Sequence, residues 1–410
     1  MRILQCGVAY SPNVGDGLIA TCMAHAVGRL VPGASMQSLD LAGRTGFAGE
    51  DRRSGLLGRS GALRLLSALP GPARRAAVRF ILGRRLNALE PEWSAMLDDA
   101  DAVIIGGGQL FADADLNFPL KIGRLATLLS AKGLPVAVHA AGATGHWSAE
   151  GRALFGELEA TRLLSVGLRE AGSMGHWRDQ AAFGPEPTLA LDPGLLTADA
   201  IPAQPPGTEA PVGLGIADAT LLDYHAEDGV AGGGVAFQVR LVQALVKAGY
   251  PVLLFCNGAE EDALALDQVR THPALAPLVA SGQVEAAPRP LTPDALARTV
   301  ARCRGIVAHR LHAIIAAYSY GLPALALGWD AKVASFQREV GREAHTLTDP
   351  DVSPADVAAA ARAAIADPVP EADRAAMAAR ALEDMATTLR RLGLPVVRRT
   401  AAEGGEDRVA

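Results

Sequence analysis

Residues 305–332 decide the predicted fold, and they read GIVAHRLHAIIAAYSYGLPALALGWDAK. The run 305–308 is short and apolar, which is typical of a buried strand, and residues 311–320 predict a helix that follows it directly. A Gly-Leu-Pro turn then leads into a second apolar strand at 324–327, with another helix near Lys332. This alternation predicts an α/β fold in which neighbouring strands run parallel.

Three side chains of this stretch follow the carboxyl ends of the predicted strands: Arg310, His312 and Lys332. In open α/β sheets, ligands bind just outside the carboxyl ends of the strands. The helix that begins after Arg310 adds unpaired N–H groups and the positive end of its dipole. Two permanent cations and one imidazole that titrates near neutrality therefore predict a site for a small anion.

Length and composition favour a protein with two α/β domains. The chain has 410 residues, of which 50% are hydrophobic and 4% aromatic. This length exceeds that of one ordinary domain, and the small aliphatic residues suit Ala-rich helices around parallel sheets. The formal charge of −6 argues against nucleic-acid binding, which usually requires a basic domain.

The cysteines and the chain start favour a soluble, cytoplasmic protein. Cys6, Cys22, Cys256 and Cys303 are widely scattered, so we expect reduced, buried thiols and no metal site. Met1 to Val8 is too short for a signal peptide and predicts the first strand. No segment approaches the roughly 18 apolar residues of a membrane-spanning helix. We expect no cofactor.

Asp16 follows the first predicted strand, at the N-cap or in the first turn of a helix that we place at 18–30. Its carboxylate could cap the N–H groups of that helix. The alternative is that it faces the ligand crevice as a functional group. Both interpretations remain open at this point.

A glycine-rich segment follows the strong strand at 101–105. Gly106-Gly107-Gly108 allow close backbone approach to a ligand and can offer N–H groups to an anion, and Asp113 lies just beyond. The spacing does not match a dinucleotide or Walker loop. Gly107, Gly108 and Asp113 are kept as substrate-binding candidates, although such turns often serve packing alone.

Residues 44–90 interrupt the pattern with a basic insertion. No acidic residue lies between Arg52 and Arg85, and arginines alternate with leucines there. We expect a lid-like segment with one or two short basic amphipathic helices on the acceptor side. Its chemistry predicts peripheral contact of residues 52–85 with a membrane face or a lipid-linked sugar. The alternative is a solvated helical hairpin without a special role.

A proline-rich segment separates two successive halves of alternating strands and helices, which predicts a GT-B-like pair of Rossmann-like domains with the ligands in the cleft between them. The predicted parts are an N-terminal domain (1–196), a linker (197–211), a donor-binding C-terminal domain (212–345), C-terminal helices that cross back (346–397) and a flexible tail (398–410).

An ordered set of short motifs extends along the chain: Asn13-Val14-Gly15-Asp16, residues 101–108 with Asp113, Arg169-Glu170-Ala171-Gly172-Ser173, Asp192-Pro193, Arg310-Leu311-His312-Ala313, Gly321-Leu322-Pro323 and Lys332. Through these motifs and their order, the chain resembles the polysaccharide pyruvyl transferase family over nearly the whole length of the chain. The sequence departs from the family pattern at Glu170, where aspartate is usual, and at Trp329, where tyrosine is usual. The basic insertion has no counterpart in the family.

The resemblance implies a GT-B-like fold and transfer of the pyruvyl group of phosphoenolpyruvate to two hydroxyls of a sugar. The product is a ketal, phosphate is released, and the acceptor is a carbohydrate, free or lipid-linked. The family's donor residues map onto Arg169, Arg310, His312 and Lys332.

We assign His312 as the general acid that protonates the donor's methylene carbon. Asp16 is the first choice for the base that accepts the hydroxyl proton, and Asp113 is the second.

Two other functions remain open. The first is a glycosyltransferase of the same architecture with a nucleotide-sugar donor, which would bind a UDP- or GDP-linked sugar. The second is a non-catalytic anion-binding or scaffolding protein that descends from such an enzyme.

Overall fold

Short apolar runs that alternate with helices form two parallel sheets. The computed structural model describes residues 1–47, 71–113, 115–207, 209–220, 222 and 230–397. Within each sheet, the connection after a strand returns the chain to the end of the sheet at which that strand began. Neighbouring strands therefore run parallel in both sheets. The prediction of two Rossmann-like domains is confirmed.

In the described part of the chain, the first sheet has the strand order β2-β1-β3-β4-β5-β6. Its strands are β1 (Arg2–Gly7), β2 (Ser35–Asp40), β3 (Ala102–Phe111), β4 (Pro135–Ala143), β5 (Arg162–Leu168) and β6 (Thr188–Leu189). Its helices are α1 (Val14–Leu30), α2 (Gly71–Asp98), α3 (Asn117–Lys132), α4 (Ala149–Gly156), α5 (Ala171–Gln180) and α6 (Thr197–Ala200). The strand order changes direction between β1 and β3, which places the segments after these two strands side by side.

The second sheet, again within the described residues, has the order β12-β11-β10-β7-β8-β9. Its strands are β7 (Val212–Gly215), β8 (Val252–Phe255), β9 (Val284–Ala286), β10 (Gly305–Ala308), β11 (Ala324–Leu327) and β12 (Thr346–Leu347). The associated helices are α7 (Val235–Lys247), α8 (Glu260–Arg270), α9 (Ala276–Ala280), α10 (Pro293–Ala301), α11 (Leu311–Ser319), α12 (Ala331–Glu339) and α13 (Pro354–Ala366). All residues of β7, β8, β10 and β11 are buried, which explains their unbroken apolar sequences.

The last helix, α14 (Glu371–Arg391), crosses back to the first domain as predicted. Its Thr388 hydroxyl lies 2.8 Å from Nδ1 of His139 in β4, and Asp384 accepts a hydrogen bond from the backbone N–H of Leu191. Arg391 donates to the Ser165 hydroxyl of β5. These contacts bind the C-terminal helix to the N-terminal sheet.

The basic insertion differs from the expected short helices, because residues 71–98 form the single long helix α2. Its C-terminal half packs on the core through Leu86, Leu89, Trp93 and Leu97, which are spaced for one helical face. Residues 48–70, which include Arg52, Arg53, Arg59 and Arg64, lie outside the described residues, as does the tail 398–410. No helix in the described ranges combines the length and the apolar character needed to cross a membrane.

Two further segments differ from the sequence-based expectation. Strand β3 does not end before the glycines but continues through them to Phe111, with an irregularity in its pairing between Gly108 and Phe111. Strand β4 approaches residue 106 closely, and a side chain there would collide with the carbonyl oxygen of His139. Only glycine therefore fits at this position of β3. The proline-rich linker segment begins with the short helix α6, in which Thr197 is fully buried.

Candidate functional site

Arg169 is the cation that the first domain contributes to the cleft. It follows β5 directly and is 5% exposed. Its Nη2 donates a 2.7 Å hydrogen bond to Oε1 of Gln109 in β3. Gly142 of β4 lies beneath this pair, and a Cβ there would come within 3.1 Å of Arg169 Nη2. The neutral amide thus orients the guanidinium without neutralising its charge.

His312 and Lys332 are contributed by the second domain, each in the first turn of a helix. His312 lies in α11 and is 8% exposed. Lys332 lies in α12, where its Nζ is 2.7 Å from Asp330 Oδ2 and 4.6 Å from the centre of the Trp329 ring. Burial lowers the pKa of Lys332, and the Asp330 carboxylate opposes that change.

Asp192 connects the two domains at this point. Its Oδ2 lies 3.8 Å from His312 Nε2 and 3.9 Å from Arg169 Nη1, while its Oδ1 accepts from the Gly194 N–H at 2.9 Å. Burial alone would raise the pKa of Asp192, but His312, Arg169 and the Gly194 N–H outweigh it and hold the pKa below its usual value. A negative charge therefore persists between the imidazole and the guanidinium.

Three polar atoms of this group are buried without a hydrogen-bond partner in the described part of the chain: Arg169 Nε, Asp192 Oδ2 and His312 Nε2. Distances of 3.8–3.9 Å between the charged groups are too long for hydrogen bonds. Buried polar groups are normally paired, so several unpaired ones at one place suggest that their partner is a ligand.

The pocket at this place is lined by both domains. The first domain provides Arg169, Glu170 and Asp192, and the second provides Leu311, Ile315, Lys332, Phe336 and Glu339. The lining combines the apolar side chains of Leu311, Ile315 and Phe336 with charged groups of both signs. Among the described residues, no cluster of three or more His, Cys, Asp or Glu side chains is arranged to hold a metal ion.

Arg310 differs from the expectation that its guanidinium would join Lys332. It pairs with Asp262 at the start of α8, with Nη2 2.7 Å from Oδ1 and Nε 3.0 Å from Oδ2. Asp262 is fully buried, and its Oδ1 also accepts from the Asp218 N–H. The side chain of Arg310 therefore points along the carboxyl edge of the sheet towards β8.

Asp16 and the glycines of β3 meet at the change of strand order in the first sheet. Asp16 lies in the first turn of α1, and a Cβ on Gly108 would be 3.7 Å from Asp16 Oδ1. The residue before it, Gly15, packs on His312: a Cβ there would lie 2.8 Å from both Cβ and Nδ1 of the histidine. Gly107 has a positive φ of 78° and packs on Ile19.

The carboxylate of Asp113 is occupied by backbone groups. Its Oδ2 accepts from the Ser148 N–H at 2.6 Å, and its Oδ1 accepts from the Leu116 N–H at 3.2 Å. These bonds fix the start of α4 and the turn before α3. Asp113 is not among the residues that line the interdomain pocket.

Four residues of this region had no assigned role in the sequence analysis. Asp192 belonged to a recognised Asp-Pro motif, and this was its only signal. Asp262 is one of three acidic residues in the first turn of α8, and the sequence analysis did not single it out. Gln109 and Glu339 carried no signal, because their roles depend on strands and helices that only the fold brings together.

The sequence profile of the polysaccharide pyruvyl transferase family matches residues 13–331. No curated protein matches the chain. Among solved structures, a UDP-GlcNAc 2-epimerase from Methanocaldococcus jannaschii is similar, with a TM-score of 0.54, 9% identity, and coverage of 90% of this chain and 93% of that one. S. aureus MnaA with UDP gives a TM-score of 0.51, 11% identity, and coverage of 94% and 91%. Both show the GT-B-like fold that the sequence predicts.

Proposed function

The chain belongs to the polysaccharide pyruvyl transferase family and is a transferase, and we propose that it moves the pyruvyl group of phosphoenolpyruvate onto two hydroxyls of a sugar. The acceptor belongs to a polysaccharide or to its lipid-linked precursor. The products are a cyclic ketal and inorganic phosphate.

The observation that carries this proposal is an interdomain pocket lined by Arg169, Asp192 and Lys332, with His312 Nε2 3.8 Å from Asp192 Oδ2. Arg169 and Lys332 enter the pocket from opposite domains, so each can pair with one of the two anionic groups of a small donor. Arg310 uses Nε and Nη2 for Asp262, which leaves Nη1 to donate to the donor or to the acceptor. The arrangement suits a donor with both a carboxylate and a phosphate.

In this reaction two acceptor hydroxyls each lose a proton, while the methylene carbon and the departing phosphate each gain one. His312 is placed to protonate the methylene carbon. One hydroxyl oxygen bonds to C2 of phosphoenolpyruvate while the methylene carbon takes a proton from His312. The bond between C2 and the phosphate oxygen then breaks, phosphate leaves with the electron pair, and the second hydroxyl closes the ketal. Asp192 Oδ2 lies 3.8 Å from Nε2 of this imidazole.

The donor is tested by thermal-shift measurements with phosphoenolpyruvate, UDP-sugars and GDP-sugars. We expect phosphoenolpyruvate to raise the melting temperature and the nucleotide-sugars to have no effect, because ligands that bind only the folded state stabilise it. Arg169→Ala should abolish the shift, whereas Arg178→Ala, which removes an exposed arginine on α5, should retain it. Stabilisation by a nucleotide-sugar alone would instead support the glycosyltransferase alternative, which the GT-B-like fold also permits.

We also propose a cytoplasmic location with peripheral contact at the inner membrane face. Phe80 and Ile81 on α2 are 65% and 58% exposed. Arg84 lies over the Phe80 ring, so an exposed apolar pair adjoins a cation. Such a surface suits the boundary of an anionic bilayer. The four buried free cysteines agree with a reducing compartment.

Co-sedimentation with phosphatidylglycerol vesicles tests this contact. The intact chain should sediment with the vesicles, and a version without residues 52–85 should not. The double change Phe80→Ser and Ile81→Ser should weaken binding, whereas Leu264→Ser, at a residue of α8 that is 61% exposed, should have no effect. Failure of the intact chain to sediment contradicts the contact.

A further inference from the structure

Glu339 is a carboxylate of the interdomain pocket that the mechanism above does not use. It is the last residue of α12, and its side chain lines the pocket together with Arg169 and Lys332. The residue is half-buried. Within the described ranges, no hydrogen bond or ion pair holds its carboxylate.

The position of Glu339 is unfavourable for a negative charge. It lies at the C-terminal end of a helix, where the dipole repels anions. Its pKa is raised to about 7, chiefly by burial, with a smaller contribution from the carboxylates of Glu170, Asp192 and Asp384 and against the opposing charge of Arg380. A carboxylate that is costly to ionise and lies in a pocket is characteristic of a functional group.

We propose that Glu339 is the general base that removes the proton from the first acceptor hydroxyl. This assignment rests on the proposed pyruvyl transfer. As the hydroxyl oxygen bonds to C2 of phosphoenolpyruvate, its proton moves to Glu339 and the methylene carbon takes a proton from His312. Glu339 then returns its proton to the departing phosphate, and His312 accepts the proton of the second hydroxyl as the ketal closes. Both side chains end in their starting protonation states.

The other carboxylates of the site are less suited to this step. Asp192 is held below its usual pKa and is therefore a weak base. Glu170 accepts a hydrogen bond from the Ser173 hydroxyl at 2.8 Å. Asp113 is occupied by backbone N–H groups, and Asp16 is not among the residues that line the pocket. Asp16, the base expected from the sequence, is the comparison variant in the test.

The test follows phosphate release from phosphoenolpyruvate with methyl glycosides of glucose, galactose and mannose as acceptors. Glu339→Gln should lower kcat by about 10²–10⁴-fold and should leave the phosphoenolpyruvate-induced thermal shift unchanged. The acidic limb of the wild-type pH profile, with an apparent pKa near 7, should disappear. Glu285→Gln, at an exposed glutamate outside the pocket, should behave as wild type.

A second measurement is independent of turnover. Infrared difference spectra of the wild type should show a carboxylic acid band that titrates near pH 7 and that Glu339→Gln removes. A kcat of Glu339→Gln within threefold of an active wild type overturns this assignment, and so does a large loss in Asp16→Asn alone. Absence of phosphate release by the wild type overturns the pyruvyl transfer itself.

Discussion

At the residue scale, every cation of the site has a carboxylate near it, but the pairs differ in strength. Arg310 and Lys332 form close contacts of 2.7 Å with Asp262 and Asp330. Arg169 stays 3.9 Å from its acidic neighbour Asp192 and bonds to a neutral amide instead. Arg169 is therefore the cation most available to a ligand.

Removing the carboxylate of Asp262 should destabilise the protein. We expect Asp262→Ala to lower the free energy of unfolding by about 3 kcal/mol, because it leaves the partly buried Arg310 without its ion-pair partner. Urea denaturation followed by tryptophan fluorescence measures this change. The double variant Asp262→Ala with Arg310→Met should recover part of the loss, since no unpaired charge remains. An unchanged unfolding free energy for Asp262→Ala contradicts a structural role for the pair.

The sequence predicted the positions of Arg169, His312 and Lys332, because each follows a recognisable strand and the carboxyl ends of parallel strands meet at one edge. It could not predict their partners. Gln109 and Arg169 are 60 residues apart, and Asp262 and Arg310 are 48 apart. Such pairs depend on strand order and on side-chain directions, which local patterns do not specify.

At the element scale, helix α1 of the first domain packs against the second domain, on the side of the cleft proposed to bind the donor. The Val14 N–H donates to the carbonyl oxygen of Asn257 at 2.9 Å, and Gly15 packs directly on His312. The first turn of α1 thus contacts His312, the proposed general acid. A side chain at residue 15 would have to displace either α1 or His312.

Gly15→Ala should therefore impair catalysis without unfolding the chain. Its Cβ would come within 2.8 Å of His312 Cβ, and a shift of about 1 Å in a catalytic group can lower kcat by roughly 10²-fold. Gly28→Ala in the same helix meets nothing within 4 Å and should raise the free energy of unfolding by about 0.5–1 kcal/mol. Phosphate release and urea denaturation measure the two effects. Equal activity of both variants would show that the Gly15 contact has no role.

The elements themselves were predicted with uneven success. The strands and helices of residues 305–332 agree with the expected boundaries to within one residue, because β10 and β11 are fully apolar and bounded by turns. The continuation of β3 through three glycines was missed, since glycine usually marks a turn and the pairing with β4 outweighs that tendency. The single helix α2 was missed because arginines that alternate with leucines in this part of the chain suggested short amphipathic helices.

At the scale of the whole molecule, the two domains are joined by α1 in one direction and by α14 in the other. The alternation of strands and helices was sufficient to predict two GT-B-like domains. The sequence could not show that Asp192 of the first half would lie between Arg169 and His312, because that depends on how the domains meet.

The joint between α14 and the first sheet should be sensitive to acid. His139 is buried at this joint, and burial lowers its pKa to about 4 from an unfolded value of 6.5. Between these values the unfolded chain binds a proton that the folded chain does not, so the stability present above pH 6.5 is lost as the pH falls towards 4. The cost is on the order of 3 kcal/mol for this histidine.

Glu339, whose pKa is raised in the folded chain, changes the stability with pH in the opposite direction to His139. Since Glu339 is present in both proteins, comparison of the wild type with His139→Asn cancels its effect and isolates that of His139. The stability of the wild type relative to the variant should fall by about 3 kcal/mol from pH 7 to pH 4. Urea denaturation across this range measures the difference. A difference that does not change with pH would show that His139 binds its proton equally well in the folded and the unfolded chain.

The most direct test of the pyruvyl transfer is phosphate release from phosphoenolpyruvate in the presence of the methyl glycosides, followed by phosphorus NMR, with the sugar product identified by mass spectrometry. The wild type should release one phosphate for each pyruvyl ketal formed, and His312→Ala should reduce the rate at least about 10²-fold. Turnover by His312→Ala close to that of the wild type, or consumption of a UDP-sugar in place of phosphoenolpyruvate, would contradict the proposed reaction.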